Sequence, residues 1–302
     1  MLFDSPSQAK IVVIVDNSNL IYRAIYANKD LKTANGAPSG HIYGCIRMLL
    51  AAFRDLGEGI CPIFCYDGLN AKAKRQETLP SYKGNRTKHD WEVEGFDPIA
   101  GGRELLITLP GLHIEKEGLE GDDAIAWAVE LVRPKLTIVY SGDRDLWSLM
   151  RYDNVKVYSP NKKRIVEESD WLEEYHVKDP SKIYMAKALF GDSSDNIKGV
   201  ERLIKKQVEP ILNDEKCVDL SAFYDMILDQ PESMTEKMWK KTLDAKEAVL
   251  TNYKVIVPDI KDLDKTAVKR TLKNEENKAK LLEVLRKYEC VSVFNEAAEL
   301  YR

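Results

Sequence analysis

The sequence predicts an α/β fold, a mostly parallel sheet flanked by helices with a helical lobe after it, and three observations carry that expectation. Short β-branched runs alternate with helical patterns through the first half of the chain. After about residue 165 the strand signals nearly stop and helical spacing takes over. The 302 residues are 44% hydrophobic and 31% charged, an ordinary globular balance with enough chain for a real core.

Taken in order, the first strand is the apolar run at 11–15. Ile42, Cys45, Ile46, Leu49, Leu50 and Phe53 then recur at helical spacing and predict a helix with one face on the sheet. Further strands are expected at 60–66, 112–115, 136–140 and 155–158, with a helix at 124–130. One stretch, 82–103, fits neither pattern. It carries bases, then Trp91 and Phe96, and is interrupted by Gly95, Pro98, Gly101 and Gly102, so it reads as a mobile excursion. Helices are expected at 183–190, 220–228, 236–250 and 278–288, which divides the chain into an α/β core at 1–180 and a helical lobe at 181–302.

Composition excludes several classes of protein. The start lacks a basic segment followed by a long apolar stretch, and apolar runs such as 11–15 and 48–53 are too short to span a bilayer, which predicts a cytoplasmic protein with no membrane partner. Cys45, Cys61, Cys65, Cys217 and Cys290 show no CxxC pairing and read as reduced, buried thiols rather than zinc ligands or disulfides. The net charge of −4 argues against nucleic acid only until its distribution is considered. Lys72, Lys74, Arg75, Lys83, Arg86 and Lys88 cluster in one stretch, and Lys198, Arg202, Lys205 and Lys206 in another.

The strands end in acids with a regularity that packing does not require. Asp16 follows the first strand, Asp67 the second, and Asp143 and Asp145 a later one. Ligands of open parallel sheets bind outside the carboxyl ends of the strands, so these side chains are expected to converge. EGDD adds Glu120, Asp122 and Asp123 at a strand-to-helix turn, and GDSSDN adds Asp192 and Asp195. A single aspartate after a strand is usually a helix cap, and Asp122 or Asp123 is the expected cap of the helix at 124–130. Nine carboxylates together are different, because crowded like charges call for bound cations. An all-oxygen ligand set without His or Cys suits Mg²⁺, with Mn²⁺ able to replace it. Two such ions beside positive charge form the arrangement that cleaves phosphodiesters. Lys83 and Arg86 are placed to reach the phosphate, and Tyr82 to stack on a base.

The ordered motifs resemble the 5′ nuclease family, which includes phage 5′ exonucleases, flap endonucleases and the 5′ nuclease domain of bacterial DNA polymerase I. They are Asp16 after a strand, YDG at Asp67, YKGNR from Tyr82, EGDDA from Glu120, SGDRDL from Ser141 and FGDSSDNIKGV from Phe190. The resemblance implies a PIN-like core with a helical arch at 82–103 and a helix-turn duplex-binding motif at 183–210. It implies that Asp16, Asp67, Glu120 and Asp122 serve a first metal site, that Asp143, Asp145, Asp192 and Asp195 serve a second, and that Asp123 supports the cluster. Lys83 and Arg86 match the family's catalytic bases at the foot of the arch, beside Tyr82. Lys88, Lys198, Arg202, Lys205 and Lys206 complete the expected nucleic-acid contacts. The family continues from GV into a glycine-rich hairpin, but Arg202 and Ile204 stand where glycines are expected, which leaves the tight hairpin and its cation site open, with charge contacts from Arg202, Lys205 and Lys206 as the alternative grip.

The implied enzyme is a structure-specific 5′ nuclease, a 5′–3′ exonuclease and flap endonuclease leaving a 5′-phosphate and a 3′-hydroxyl. Its expected substrates are DNA with 5′ flaps, nicks or ends, and RNA–DNA primer junctions. No polymerase region follows, which points to a stand-alone monomer in phage DNA replication or repair, in the host cytoplasm, meeting a replication polymerase or single-strand-binding protein. Two alternatives carry less of the sequence. A PIN-like ribonuclease needs neither YKGNR nor GDSSDN, and a non-catalytic branched-DNA-binding module needs a degenerate acid set. An aspartyl-phosphate phosphotransferase wants a DxDxT-like start, which Asp16-Asn17-Ser18 does not supply.

Overall fold

The structure is a computed structural model that describes residues 11–86, 96–132 and 135–301. Lys88, Trp91 and Gly95 lie outside the described residues. The elements run β1 (Ile11–Asp16), α1 (Asn17–Ala27), α2 (Gly40–Leu56), β2 (Ile60–Cys65), α3 (Ala73–Thr78), α4 (Pro98–Leu106), β3 (Gly111–Ile114), α5 (Gly121–Val132), β4 (Leu136–Tyr140), β5 (Val155–Ser159), β6 (Arg164–Ile165), α6 (Glu168–Tyr175) and α7 (Ile183–Phe190). They continue through β7 (Gly191–Asp192), β8 (Ile197–Lys198), α8 (Lys205–Leu212), α9 (Leu220–Leu228), α10 (Glu236–Asp244), α11 (Lys246–Ile256), β9 (Val268–Thr271), α12 (Glu275–Lys287) and α13 (Phe294–Glu299). The chain forms two compact units, one from 1–69, 88–142 and 260–302, the other from 70–87 and 143–259.

The first unit is built on strands in the order β4-β1-β2-β3-β9. β1 is central and parallel to both neighbours, with Ile11 opposite Ile60 on one side and Leu136 on the other. Burial on both faces explains why its sequence is an unbroken apolar run, with Val12, Val13, Ile14 and Val15 fully inaccessible. Each such side chain contributes about 1.5–3 kcal/mol by leaving water. α5 packs on β1 and β2, while α1, α2 and α4 pack on one another through Leu20, Ile21, Ile42, Ile46 and Leu105.

Three features of this unit depart from the expectations. β9 pairs antiparallel with β3, Val268 opposite Ile114, in a region where strand signals had seemed exhausted. Its sequence, VKRT, is short and half charged because it forms an exposed edge. α4 occupies part of the stretch expected to be irregular. Pro98 stands at the start of the helix, where a missing N–H costs nothing, and Asp97 caps it by accepting from Ile99 N and Ala100 N, both at 3.0 Å. Gly101 and Gly102 are contact sites rather than breakers, since a Cβ at Gly102 would lie 2.6 Å from Ile21 and one at Gly101 2.5 Å from His41 Nε2.

The second unit carries the antiparallel pair β5–β6, the ribbon β7–β8 and the helices α3 and α6–α11. The helix expected over 236–250 is two, broken at Ala245. α11 organises the unit's centre. The buried Asn252 amide donates to Ala188 O at 3.1 Å and Lys198 O at 2.8 Å, tying α11 to the end of α7 and to the ribbon. Arg75 Nε donates to Val255 O at 2.9 Å, tying the same helix to the basic segment before the ribbon.

Candidate active site

In the first unit the candidate ligands are held by donors at the strand ends. Asp16 closes β1 and starts α1. Its Oδ1 accepts from Asn19 N at 3.0 Å and its Oδ2 from Ser141 Oγ at 2.6 Å. Asp67, exposed just beyond β2, accepts from Ser18 Oγ and from the Gly121 N–H, both at 2.6 Å. A Cβ at Gly121 would lie 3.3 Å from Asp67 Oδ1, a tight approach that a glycine leaves free. α5 begins at Gly121, earlier than expected, so Asp122 and Asp123 both fall in its first turn, where the helix dipole favours negative charge. Asp123 is fully buried and accepts from Glu120 N at 2.9 Å. Cys65 records how these groups crowd the sheet end. Burial, then the charges of Asp16 and Asp122, push its thiol well above its ordinary range.

The second unit holds the other acids. Asp143 Oδ1 accepts from Asp145 N at 2.9 Å. Carboxylate oxygens of Asp145, Asp192 and Asp195 all lie within 4.8 Å of one another, close enough to ligate a single ion. Lys187 comes into this group from α7. It is buried, forms an ion pair with Asp145, and lies 2.7 Å from Asp192. Burial works against its charge, but Asp145 and Asp192 outweigh that and hold the ammonium well above the usual lysine range. Loss of water raises Asp145 against the pull of Lys187, with Asp192 and Asp195 adding to the rise. Asp192 is likewise opposed by burial, yet Lys187 and Ser194 bring it below the usual carboxylate range. The ligand atoms these three residues offer are all carboxylate oxygens, a donor set of the kind that suits a hard divalent ion.

The basic segment 81–86 sits on that ribbon. Lys83 N donates to Asp195 O at 2.9 Å, and Arg86 reaches Asp195 Oδ1 at 3.0 Å. The Lys83 ammonium, its side chain only 9% exposed, lies 4.0 Å from the same oxygen. Tyr82 corrects an expectation. Its ring is buried against Ile197 and Val255 with Leu79 and Ile256 around it, so it is a core side chain here and presents no face for a base.

Among the expected duplex contacts, Lys198, Arg202, Lys205 and Lys206 are all exposed on the second unit. A turn forms at 200–203 although Arg202 stands at one of the two positions where a glycine was expected. Leu203 N donates to Val200 O at 3.1 Å and Arg202 adopts the left-handed conformation at φ 58°. Lys205 Nζ donates to Glu174 O at 3.0 Å and Lys241 pairs with Glu201 at 2.9 Å.

Sequence reasoning passed over Lys187 and Ser18. The signal for Lys187 was present, a lone lysine in the apolar run IYMAKALF directly before GD. Nothing in the local sequence marks Ser18.

Comparison with known proteins places these motifs. Residues 11–176 match the family described as 5′-3′ exonuclease, N-terminal resolvase-like domain. A 5′-3′ exonuclease of Aquifex aeolicus is 30% identical over 207 residues, covering 67% of this chain and 69% of that one. The thermostable DNA polymerase I of Thermus filiformis is 33% identical over 208 residues, 68% of this chain but only 24% of the polymerase. Among solved structures, the bacteriophage T5 flap endonuclease complexed with DNA and metal ions shares the fold, with TM-score 0.62, 22% identity and coverage of 96% and 99%. The catalytic core of Rad2 with a DNA substrate follows at TM-score 0.54, 18% identity and coverage of 94% and 88%. A family match across more than half of the sequence, joined by a relative 30% identical over two thirds of both chains, makes this chain a member of the 5′–3′ exonuclease family, a 5′ nuclease.

Proposed function

We propose that the protein hydrolyses phosphodiesters at 5′ flaps, nicks and 5′ ends of DNA, and at RNA–DNA primer junctions, during DNA replication or repair. The observation that carries the reading is one group in the second unit. Asp145, Asp192 and Asp195 lie within a single ion's reach of one another, with Lys83 and Arg86 against Asp195. Acids able to hold a cation, next to bases able to hold a phosphate, suit phosphodiester chemistry.

Asp143, Asp145, Asp192 and Asp195 would hold one Mg²⁺, and Asp16, Asp67, Glu120 and Asp122 another, with Asp123 fixing the start of α5. Divalent ions in such a site supply an activated water and neutralise charge on the phosphate. Lys83 and Arg86 bind phosphate oxygens and offset the charge that builds there. Ser18, Ser141 and Gly121 N hold Asp16 and Asp67 in fixed orientations. Lys198, Arg202, Lys205 and Lys206 grip duplex phosphates, and Lys88 is an expected further contact. Labelled flap, nicked, blunt and RNA-primed substrates incubated with Mg²⁺ test the proposal. Products carrying a 5′-phosphate and a 3′-hydroxyl at the branch are expected, and uncut flap substrate would refute it.

A further inference from the structure

Resting on the proposed role of Lys83 at the phosphate, we infer that Asn196 is a positioning residue that sets Lys83 against the acids of the β7–β8 ribbon. Asn196 Nδ2 donates to Ser81 O at 2.7 Å, and the Gly84 N–H donates to the same oxygen at 3.0 Å. That carbonyl thereby anchors the turn holding Lys83. Asn85 makes the matching bond from the other side of Lys83, its Nδ2 donating to Ser193 O at 2.9 Å. Between them Lys83 N donates to Asp195 O at 2.9 Å. The segment is stitched to the ribbon on both sides of the lysine.

The backbone conformations make the arrangement specific. Lys83 and Asn196 are both in the left-handed region, at φ 52° and φ 58°. A lysine has no intrinsic reason to adopt that conformation, so its surroundings must impose it. Asparagine tolerates the conformation and carries an amide donor, whereas glycine meets only the first requirement. Asn196 thus acts on Lys83 through Ser81 O and need not touch the substrate. It also links the ribbon's acids to a basic segment more than a hundred residues away in sequence.

Single-turnover cleavage of a 5′-flap DNA in Mg²⁺, paired with binding of the same DNA in Ca²⁺, tests this with wild type, Asn196→Gly, Asn196→Ala, Asn85→Ala, Lys83→Ala and the double variant Lys83→Ala with Asn196→Gly. Asn196→Gly permits the left-handed backbone while removing the amide, and Asn196→Ala removes the amide without adding backbone freedom. Asn196→Gly is expected to slow cleavage about 10- to 100-fold with unchanged affinity, as a small misplacement of a reacting group does. Asn85→Ala should move the rate in the same direction by less, and it carries the test if the Asn196 variants fail to fold. In the Lys83→Ala background Asn196→Gly should cost nothing more, because both act through one group. Wild-type rate in Asn196→Gly, or losses that multiply in the double variant, overturns the inference. A wild type that leaves the flap intact, or a harmless Lys83→Ala, overturns the functional reading itself and shows up in those two arms.

Discussion

His41 lies in α2 with both ring nitrogens buried and without a hydrogen-bond partner, edge-on to Phe96 and Tyr288. Burial lowers its pKa to about 4, against a smaller opposing pull from Glu104. Unfolded, the ring takes up a proton near 6.5, so between pH 6.5 and 4 the unfolded chain binds more protons than the folded one. Stability should therefore fall as the pH drops through that window, by about 3 kcal/mol for this residue. Thermal unfolding followed from pH 7 to 4 should show the decline, and His41→Leu should flatten it. Asp67 is a different case, since in the asparagine variant the amide oxygen can still accept from the Gly121 N–H while the amide nitrogen donates to the Ser18 hydroxyl, which can turn to accept. Asp67→Asn should keep the fold but lower single-turnover cleavage by about a thousandfold or more. Near wild-type turnover would remove it from the ligand set. Lys187→Met should do the reverse in metal-free buffer. It strips a buried cation from Asp145 and Asp192 and should cost about 3 kcal/mol or more in denaturant unfolding, a loss that divalent ions would reduce.

At the scale of elements, the turn between β8 and α8 shows how an unfavourable residue can be kept. Arg202 adopts φ 58° with its side chain 87% exposed, so nothing buried compensates for the left-handed backbone. Arg202→Gly should stabilise the second unit by up to about 1 kcal/mol. The same change removes a phosphate contact and should weaken duplex binding, lowering the slope of log affinity against log salt by about 1. Retained affinity with an unchanged slope would mean that Arg202 is not at the interface. The ends of the stretch 82–103 carry a related lesson. Tyr82 is in a core cluster, and α4 is capped and packed through Gly101 and Gly102. Amides of the segment 82–86 and of α4 should accordingly resist hydrogen exchange in the free protein, in contrast to the mobility that their composition suggests.

For the whole molecule, the crowding of carboxylates should tie stability and activity to divalent cations. Chelation by EDTA should abolish cleavage, Mg²⁺ or Mn²⁺ should restore it, and Ca²⁺ should allow DNA binding without efficient turnover. Mg²⁺ at a hundred times its dissociation constant should also raise stability by about 2.7 kcal/mol, read as a shift in the thermal midpoint. Full activity in EDTA would exclude the metal mechanism.

The five strands from β1 to β5 and about half of the described helices were legible because the signal is local: helices such as α2 repeat apolar residues at helical spacing, and Val12 to Val15 form a short β-branched run, too brief for a buried helix, that fits a strand covered on both faces. The candidate acids were legible for a similar reason, since Asp16 and Asp67 mark the carboxyl ends of strands wherever those strands sit. What the chain could not announce depends on which surfaces meet. β9 is a strand because β3 offers it an open edge, although its own four residues are too polar and too few to signal one. Tyr82 is buried because Ile197 and Val255 close over it, and Lys187 serves as a counter-ion because α7 points it at Asp145 and Asp192. Local pattern sets the propensity of each segment, but the partner of an edge, a ring or a charge exists only once the chain has folded back on itself.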